Sequence, residues 1–463
     1  MHTGSDASSD RPHVTGDADV ARPDLPRVVG FWGAVSVLVG VVIGSGIFQT
    51  PAFIAANLGS PWLILLLWGA GGLIALCGAL TFAELAARFP SSGGVYVFLR
   101  EGYGPVVAFV FGWTYMLITK PSAAGGIAII FAEHLNLLTG LKLNPQATTC
   151  VALFVLTLIN ALGVRGSTRF AVVLTALKFS AVFGVIVIGA WAAARGVGVE
   201  RAFEASPSPK PLILALAPVM AAIMWTYDGW ADVGAIAGEV KEPRRTLPRV
   251  FIAGTLAVTG LYGLANAVYL WHIPLEVMRE TRSVAPLLLE GLTGPIGAAA
   301  VTVIIIVSTL GSSHASVMTG ARVTFAQARD GLLFRALGRI DPKRQTPATA
   351  LWVQFALSCA AVLLLRDFSS LAESFVFTMW LFYGLGAGAL FIIRRRDGRA
   401  EVGPGFRTPG YPVVPALFIL ASAAMTGLAV WAEPGRTGMW LLVLAAGVPT
   451  YWIWRRFSGP GSA

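Results

Sequence analysis

Apolar runs follow one another along almost the whole chain, parted by short stretches rich in Arg, Gly and Pro. Twelve segments emerge, at roughly 30–56, 61–88, 103–138, 147–163, 169–194, 211–238, 248–271, 294–321, 347–365, 370–393, 411–432 and 437–454. Crossing a bilayer as a helix takes about 20 predominantly apolar residues, and the pattern therefore predicts an all-α membrane protein with 12 transmembrane helices. Two runs are interrupted: segment 1 by Gly44-Ser45-Gly46, segment 6 by Tyr227-Asp228-Gly229. Unwound backbone at mid-depth leaves N–H and C=O groups without partners, at several kcal/mol each, so such breaks persist only where something fills them.

Segments 1–5 and 6–10 superpose as halves of opposite orientation, about 28–195 and 211–395, because five is odd; helices over 411–456 stand outside the repeat. The breaks fall in corresponding segments, the pattern of a transporter with its substrate site at the midplane. Residues 28–457 then form one membrane domain. Residues 1–27, polar and almost without apolar content, predict a disordered tail rather than a signal peptide. Phe89–Gly104 and Arg322–Arg339 predict amphipathic, partly helical stretches between segments.

Composition sharpens this. Hydrophobic residues make up 56% of the chain and charged ones 13%, whereas a soluble domain carries roughly a quarter charged residues. The net charge of +10 is explained by position. With the N-terminus inside, 24 Lys and Arg fall on the cytoplasmic side and 8 on the other, while Lys120 and Lys178 lie within segments. That split predicts both termini in the cytoplasm and needs no nucleic-acid partner. Cys77, Cys150 and Cys359 are scattered in apolar runs and form neither a disulfide framework nor a metal set.

The chemistry of the breaks follows from helix ends. The second half of segment 1 points its N-terminus at the midplane, where free N–H groups over Ile43, Gly44, Ser45, Gly46 and Ile47 suit a carboxylate. The first half of segment 6 ends near Trp225-Thr226, and its unpaired carbonyls suit an ammonium group. Together with Tyr227, Asp228 and Gly229 these residues describe a site for the zwitterion of an amino acid. Asp228 has three open roles: capping the second half of segment 6, pairing with a cationic substrate side chain, or titrating as a coupling proton site. His314 and Lys120 are further candidates for coupling; Lys120 can face a vestibule or pair with Glu84 or Asp228, and His314 can instead be a neutral, hydrogen-bonded bundle residue.

Enzymes fit poorly: HExxH and GxSxG are absent, and Ser313 and His314 are adjacent on a helix and point apart. A channel would need a ring of repeated subunits. A sensor derived from a transporter would carry the same sequence features.

Val39-Gly40-Val41-Val42-Ile43-Gly44-Ser45-Gly46-Ile47-Phe48 resembles the first-helix signature of the amino acid–polyamine–organocation superfamily. Trp225-Thr226-Tyr227-Asp228-Gly229-Trp230, with Gly238-Glu239-Val240-Lys241-Glu242-Pro243 after it, resembles the superfamily's sixth helix and following loop. Ala83-Glu84-Leu85, Pro90-Ser91-Ser92-Gly93-Gly94-Val95-Tyr96, Trp113 through Pro121-Ser122, Gly311-Ser312-Ser313 and Ala328-Arg329-Asp330-Gly331 are most similar to the L-type amino-acid transporter group and its bacterial relatives. The resemblance implies a LeuT-like 5+5 inverted repeat with broken helices 1 and 6, and alternating access. It also implies sodium-independent exchange or facilitated passage of neutral or cationic amino acids, with proton-coupled amino-acid or polyamine symport as the alternative. It places Trp225 as a lid over substrate, Lys178 where sodium binds in coupled members, and a cytoplasmic ion-pair latch over Glu239–Arg249. No cofactor is implied. Residues 134–146 lack the cysteine that would link a heavy chain, so the chain is expected to work alone in a bacterial inner membrane.

Overall fold

A computed structural model describes residues 25–198, 203–366, 368–397, 405–432 and 434–457. The tail expected over 1–27 lies, apart from its last three residues, outside the described residues; of these, Leu25 is buried. Among the described residues there are helices and no strand beyond an isolated parallel bridge between Val29 and Val240. Eleven helices among the described residues are long and apolar enough to cross a membrane, and they match predicted segments 1–3 and 5–12. Segment 4 is the shorter apolar helix Pro145–Ala161, about 26 Å long at 1.5 Å per residue.

Both predicted breaks are present. Segment 1 consists of α1 (Phe31–Val42) and α2 (Gly46–Ala55), parted at Ile43–Ser45. Segment 6 runs as an α-helix over Leu212–Tyr227, turns at Asp228 and Gly229, and continues as a 3₁₀ segment, Trp230–Glu239. Gly229 holds φ at +112°, and a Cβ there would lie 2.5 Å from Val41 Cγ1, so the turn needs glycine both for its backbone and for the close approach of segment 1.

Segment 3 is regular except for a π-helical turn at Tyr115–Thr119. Pro121 follows immediately and supplies no N–H to the carbonyl four residues back, the local cause of a wider turn. Segment 8 (Pro295–Arg329) passes through the middle of the bundle. Ser308, Gly311, Ser312, Ser313, Ser316, Thr319 and Gly320 are all buried along it, and such small residues let neighbouring helices approach closely. The helix continues to Arg329, two turns past the expected boundary, with Arg322 fully inside.

The end of the bundle that carries the chain's start is tightly tied. Val29 N–H donates to Glu239 O at 2.9 Å, and Lys241 N–H donates to Val29 O at 2.8 Å. Arg322 reaches Glu239 with two hydrogen bonds, 2.7 and 3.2 Å, and both side chains are 1% exposed. The expected ion pair of the loop after segment 6 thus reaches across to segment 8 and is buried. Within that loop the Glu242–Arg245 pair is exposed and loose, at 3.9 Å. The short helix Val95–Tyr103 ties the same end together: Gly93 N–H donates to Ala235 O at 3.1 Å, and Tyr96 Oη donates to Asp330 at 2.8 Å. Nearby, the fully buried Glu84 accepts from Arg88, Arg394 and the Thr408 N–H.

Candidate functional site

The two breaks face one another across a cavity. Gly44, Ser45 and Gly46 line it from segment 1, Trp225, Thr226 and Asp228 from segment 6, and Lys120 from segment 3. Val41, Val42, Ala123, Ile127, Ser316 and Phe375 complete the wall. Of the other expected site residues, Ile43, Ile47, Tyr227 and Gly229 sit at the breaks behind this wall, and Lys178 and His314 lie off it.

The free backbone groups are distributed with opposite polarity. Around the segment 1 break, Gly44 N–H donates to Val42 O, while Phe48 and Gln49 both donate to Ser45 O. The N–H groups of Ser45, Gly46 and Ile47 have no acceptor among the described residues. Free N–H groups at a helix start are of the kind that stabilises negative charge. On the other side Asp228 N–H turns back to Trp225 O at 3.2 Å, which leaves the Thr226 and Tyr227 carbonyls without a donor among the described residues. Carbonyls at a helix C-terminus suit a cation.

Carbonyls at the end of α1, by contrast, are satisfied by protein. Lys178 Nζ donates to Gly40 O, and to Ser312 Oγ at 2.9 Å. Ser312 Oγ lies 2.9 Å from Gly40 O and 3.0 Å from Ile43 O, Ser308 Oγ donates to Ile43 O at 3.1 Å, and Tyr262 Oη donates to Val42 O at 2.8 Å. Lys178 is 1% exposed and links segments 1, 5 and 8. Its ammonium is held between the Gly40 carbonyl and the Ser312 hydroxyl.

Segments 1 and 6 also touch directly. Thr226 Oγ1 donates to Ala222 O at 2.8 Å, so in its 2.8 Å contact with Thr50 Oγ1 the proton comes from Thr50. Trp225 packs edge-on against Phe368 and Phe375, with centroids 5.6 and 5.1 Å away. Its ring closes one side of the cavity. Tyr227 turns away, between Trp68 and Tyr262.

Asp228 Oδ1 is buried and has no hydrogen-bond partner among the described residues, and the 3₁₀ segment that starts at Gly229 receives no side-chain cap. Lys120 pairs with Asp232, which also accepts from Thr319 Oγ1 at 3.1 Å. Asp232 lies outside the site expected from the sequence, which ends at Gly229. Its signal was a second carboxylate four residues beyond the first, inside the same apolar segment.

His314 belongs to a separate buried network. Nε2 lies 3.2 Å from Ser167 O, an acceptor only, and therefore carries the proton. Nδ1 faces Asn160 Nδ2 at 3.2 Å and therefore accepts, while Asn160 Oδ1 takes a hydrogen bond from Ser167 Oγ at 2.7 Å. The network assigns a neutral imidazole, and His314 has no place on the cavity wall. No cluster of three potential metal ligands occurs among the described residues.

Eleven long apolar helices among the described residues, two of them belonging to segments broken at one cavity, mark a multi-pass membrane protein. Residues 29–453 match the family model described as amino acid permease, and the chain belongs to that family. It is similar to the serine/threonine exchanger SteT of Bacillus subtilis, at 30% identity over 92% of this chain and 97% of the relative. The b(0,+)-type amino acid transporter 1 of Rattus norvegicus is 31% identical over 81% of this chain and 77% of its own length. The human cystine/glutamate transporter is 30% identical over 93% and 86%.

Proposed function

We propose that the chain carries neutral and cationic L-amino acids across a bacterial inner membrane by sodium-independent exchange or facilitated passage. The observation that carries this reading is the cavity itself: unpaired N–H groups of Ser45–Ile47 on one wall and unpaired carbonyls of Thr226 and Tyr227 on the other. An α-carboxylate and an α-ammonium are the groups such walls stabilise. Lys178 stands in for sodium by holding segments 1, 5 and 8 together with its own charge. Trp225, backed by Phe368 and Phe375, serves as the lid.

Alternating access follows from the same elements. The chain crosses twelve times, with Pro145–Ala161 as the fourth crossing, and the halves over 28–195 and 211–395 form an inverted repeat. Both termini lie in the cytoplasm, which makes the Glu239–Arg322 pair and the Val29–Val240 bridge the inner closure. Release inward requires these contacts to part, and opening a buried ion pair costs several kcal/mol unless water or substrate compensates it. Membership in the amino acid permease family and the exchangers among its relatives support this mode. With residues 134–146 free of cysteine, the carrier functions without a disulfide-linked heavy chain.

Asp228, with an unpartnered carboxylate oxygen, is the contact for a cationic side chain. Asp228→Asn is expected to lower L-lysine counterflow relative to L-alanine by about tenfold in proteoliposomes, the loss of one charged hydrogen bond. An unchanged ratio would remove Asp228 from selectivity.

A further inference from the structure

One group in the cavity wall has two possible partners. Lys120, 2% exposed, pairs with Asp232, while the carboxylate of Asp228 lines the same cavity with Oδ1 unpartnered. The two carboxylates are four residues apart, on either side of the turn at Gly229. Lys120 lines the same cavity as Asp228 and carries its ammonium on a flexible four-carbon stem, which can change partner by rotation of its outer torsions. Asp232 differs from Asp228 in its surroundings. It holds a second partner in Thr319 and also faces a smaller separate cavity with Tyr115, Gly94 and Ala235. Lys120 thus stands between two compartments, with one carboxylate turned to each.

We propose that Lys120 is a movable counter-ion that lets one site accept both neutral and cationic amino acids. This rests on the reading of the cavity as an amino-acid site. When the bound amino acid brings its own side-chain cation, that cation pairs with Asp228, and Lys120 stays on Asp232. When the side chain is uncharged, Asp228 would be left unpaired in a closed cavity, an expensive state. Lys120 then turns to Asp228, and the remaining carboxylate charge falls on Asp232, off the wall of the substrate cavity, where Thr319 Oγ1 donates to it. The charge of the substrate compartment is the same in both cases.

The test is the ratio of L-alanine to L-lysine counterflow in proteoliposomes of the full chain. A ratio is insensitive to partial loss of folded protein. Lys120→Met removes the movable cation and is expected to lower alanine relative to lysine by about tenfold. Asp232→Asn removes the resting partner, leaves Lys120 on Asp228, and is expected to shift the ratio about tenfold the other way. Thermal stabilisation of the detergent-purified variants by each amino acid gives the same two shifts without transport, and Lys120→Arg retains a ratio near wild type. Shifts of the same sign, or no shift in either variant, would overturn the proposal. A wild-type protein that exchanges neither alanine nor lysine would instead overturn the functional reading beneath it.

Discussion

Replacing Gly46 with leucine abolishes amino-acid counterflow while leaving a folded, detergent-stable protein. The expectation follows from the space at this position. A Cβ on Gly46 would stand 2.7 Å from both Cγ2 and Oγ1 of Thr226, closer than real contacts allow. Thr226 cannot yield easily, since its hydroxyl is held by Ala222 O and Thr50. A leucine must therefore push the breaks apart or fill the cavity where the Ser45–Ile47 N–H groups converge. Overpacking of this kind costs about 1–3 kcal/mol of stability, too little to unfold the bundle but enough to remove a site built on close backbone approach. Uptake at background level, with a melting temperature lowered by only a few degrees, is the expected pair of results. Retained uptake would refute the carboxylate site.

The second large effect concerns Lys178. Its substitution by alanine leaves Gly40 O without its charged donor and removes the link from segment 5 to the first break. The lost charge-assisted hydrogen bond and the loosened helix end together cost about 2–4 kcal/mol, and the expected fall in transport rate is on the order of 100-fold. Wild-type uptake, in contrast, is unchanged when choline replaces sodium, because the ammonium already occupies the cation's place. A clear sodium requirement in the wild type would overturn this role for Lys178.

Both breaks were legible in the sequence because a glycine pair and an aspartate interrupt corresponding apolar runs of two halves, a pairing that helix packing alone does not require. Lys178 was legible because it lies about ten residues or roughly 15 Å into its helix, too deep to reach the surface by snorkelling. Its partners, Gly40 and Ser312, lie 138 and 134 residues away, and only the packing of segments 1, 5 and 8 brings them together. Asp232 lies on the 3₁₀ stretch beyond the second break, and only the packing of segments 3, 6 and 8 brings it to Lys120 and Thr319. Arg322 opens the amphipathic, partly helical stretch expected after segment 8. Glu239 supplies the buried partner that lets the helix run on. For His314 the sequence left two roles open, and its neutral state depends on Asn160 and Ser167, contributed by two other segments. Tyr262, which holds Val42 O, carried no signal at all among the aromatic residues of an apolar helix.

Competition of labelled L-leucine counterflow by three unlabelled compounds bears most directly on the two-walled site: L-leucine, its amide without the carboxylate, and 4-methylpentanoate without the amine. Leucine should compete, and both analogues should fail, since each lacks the group that one set of helix ends receives. Equal competition by either analogue would contradict a cavity that holds the carboxylate on Ser45–Ile47 and the ammonium on Thr226 and Tyr227.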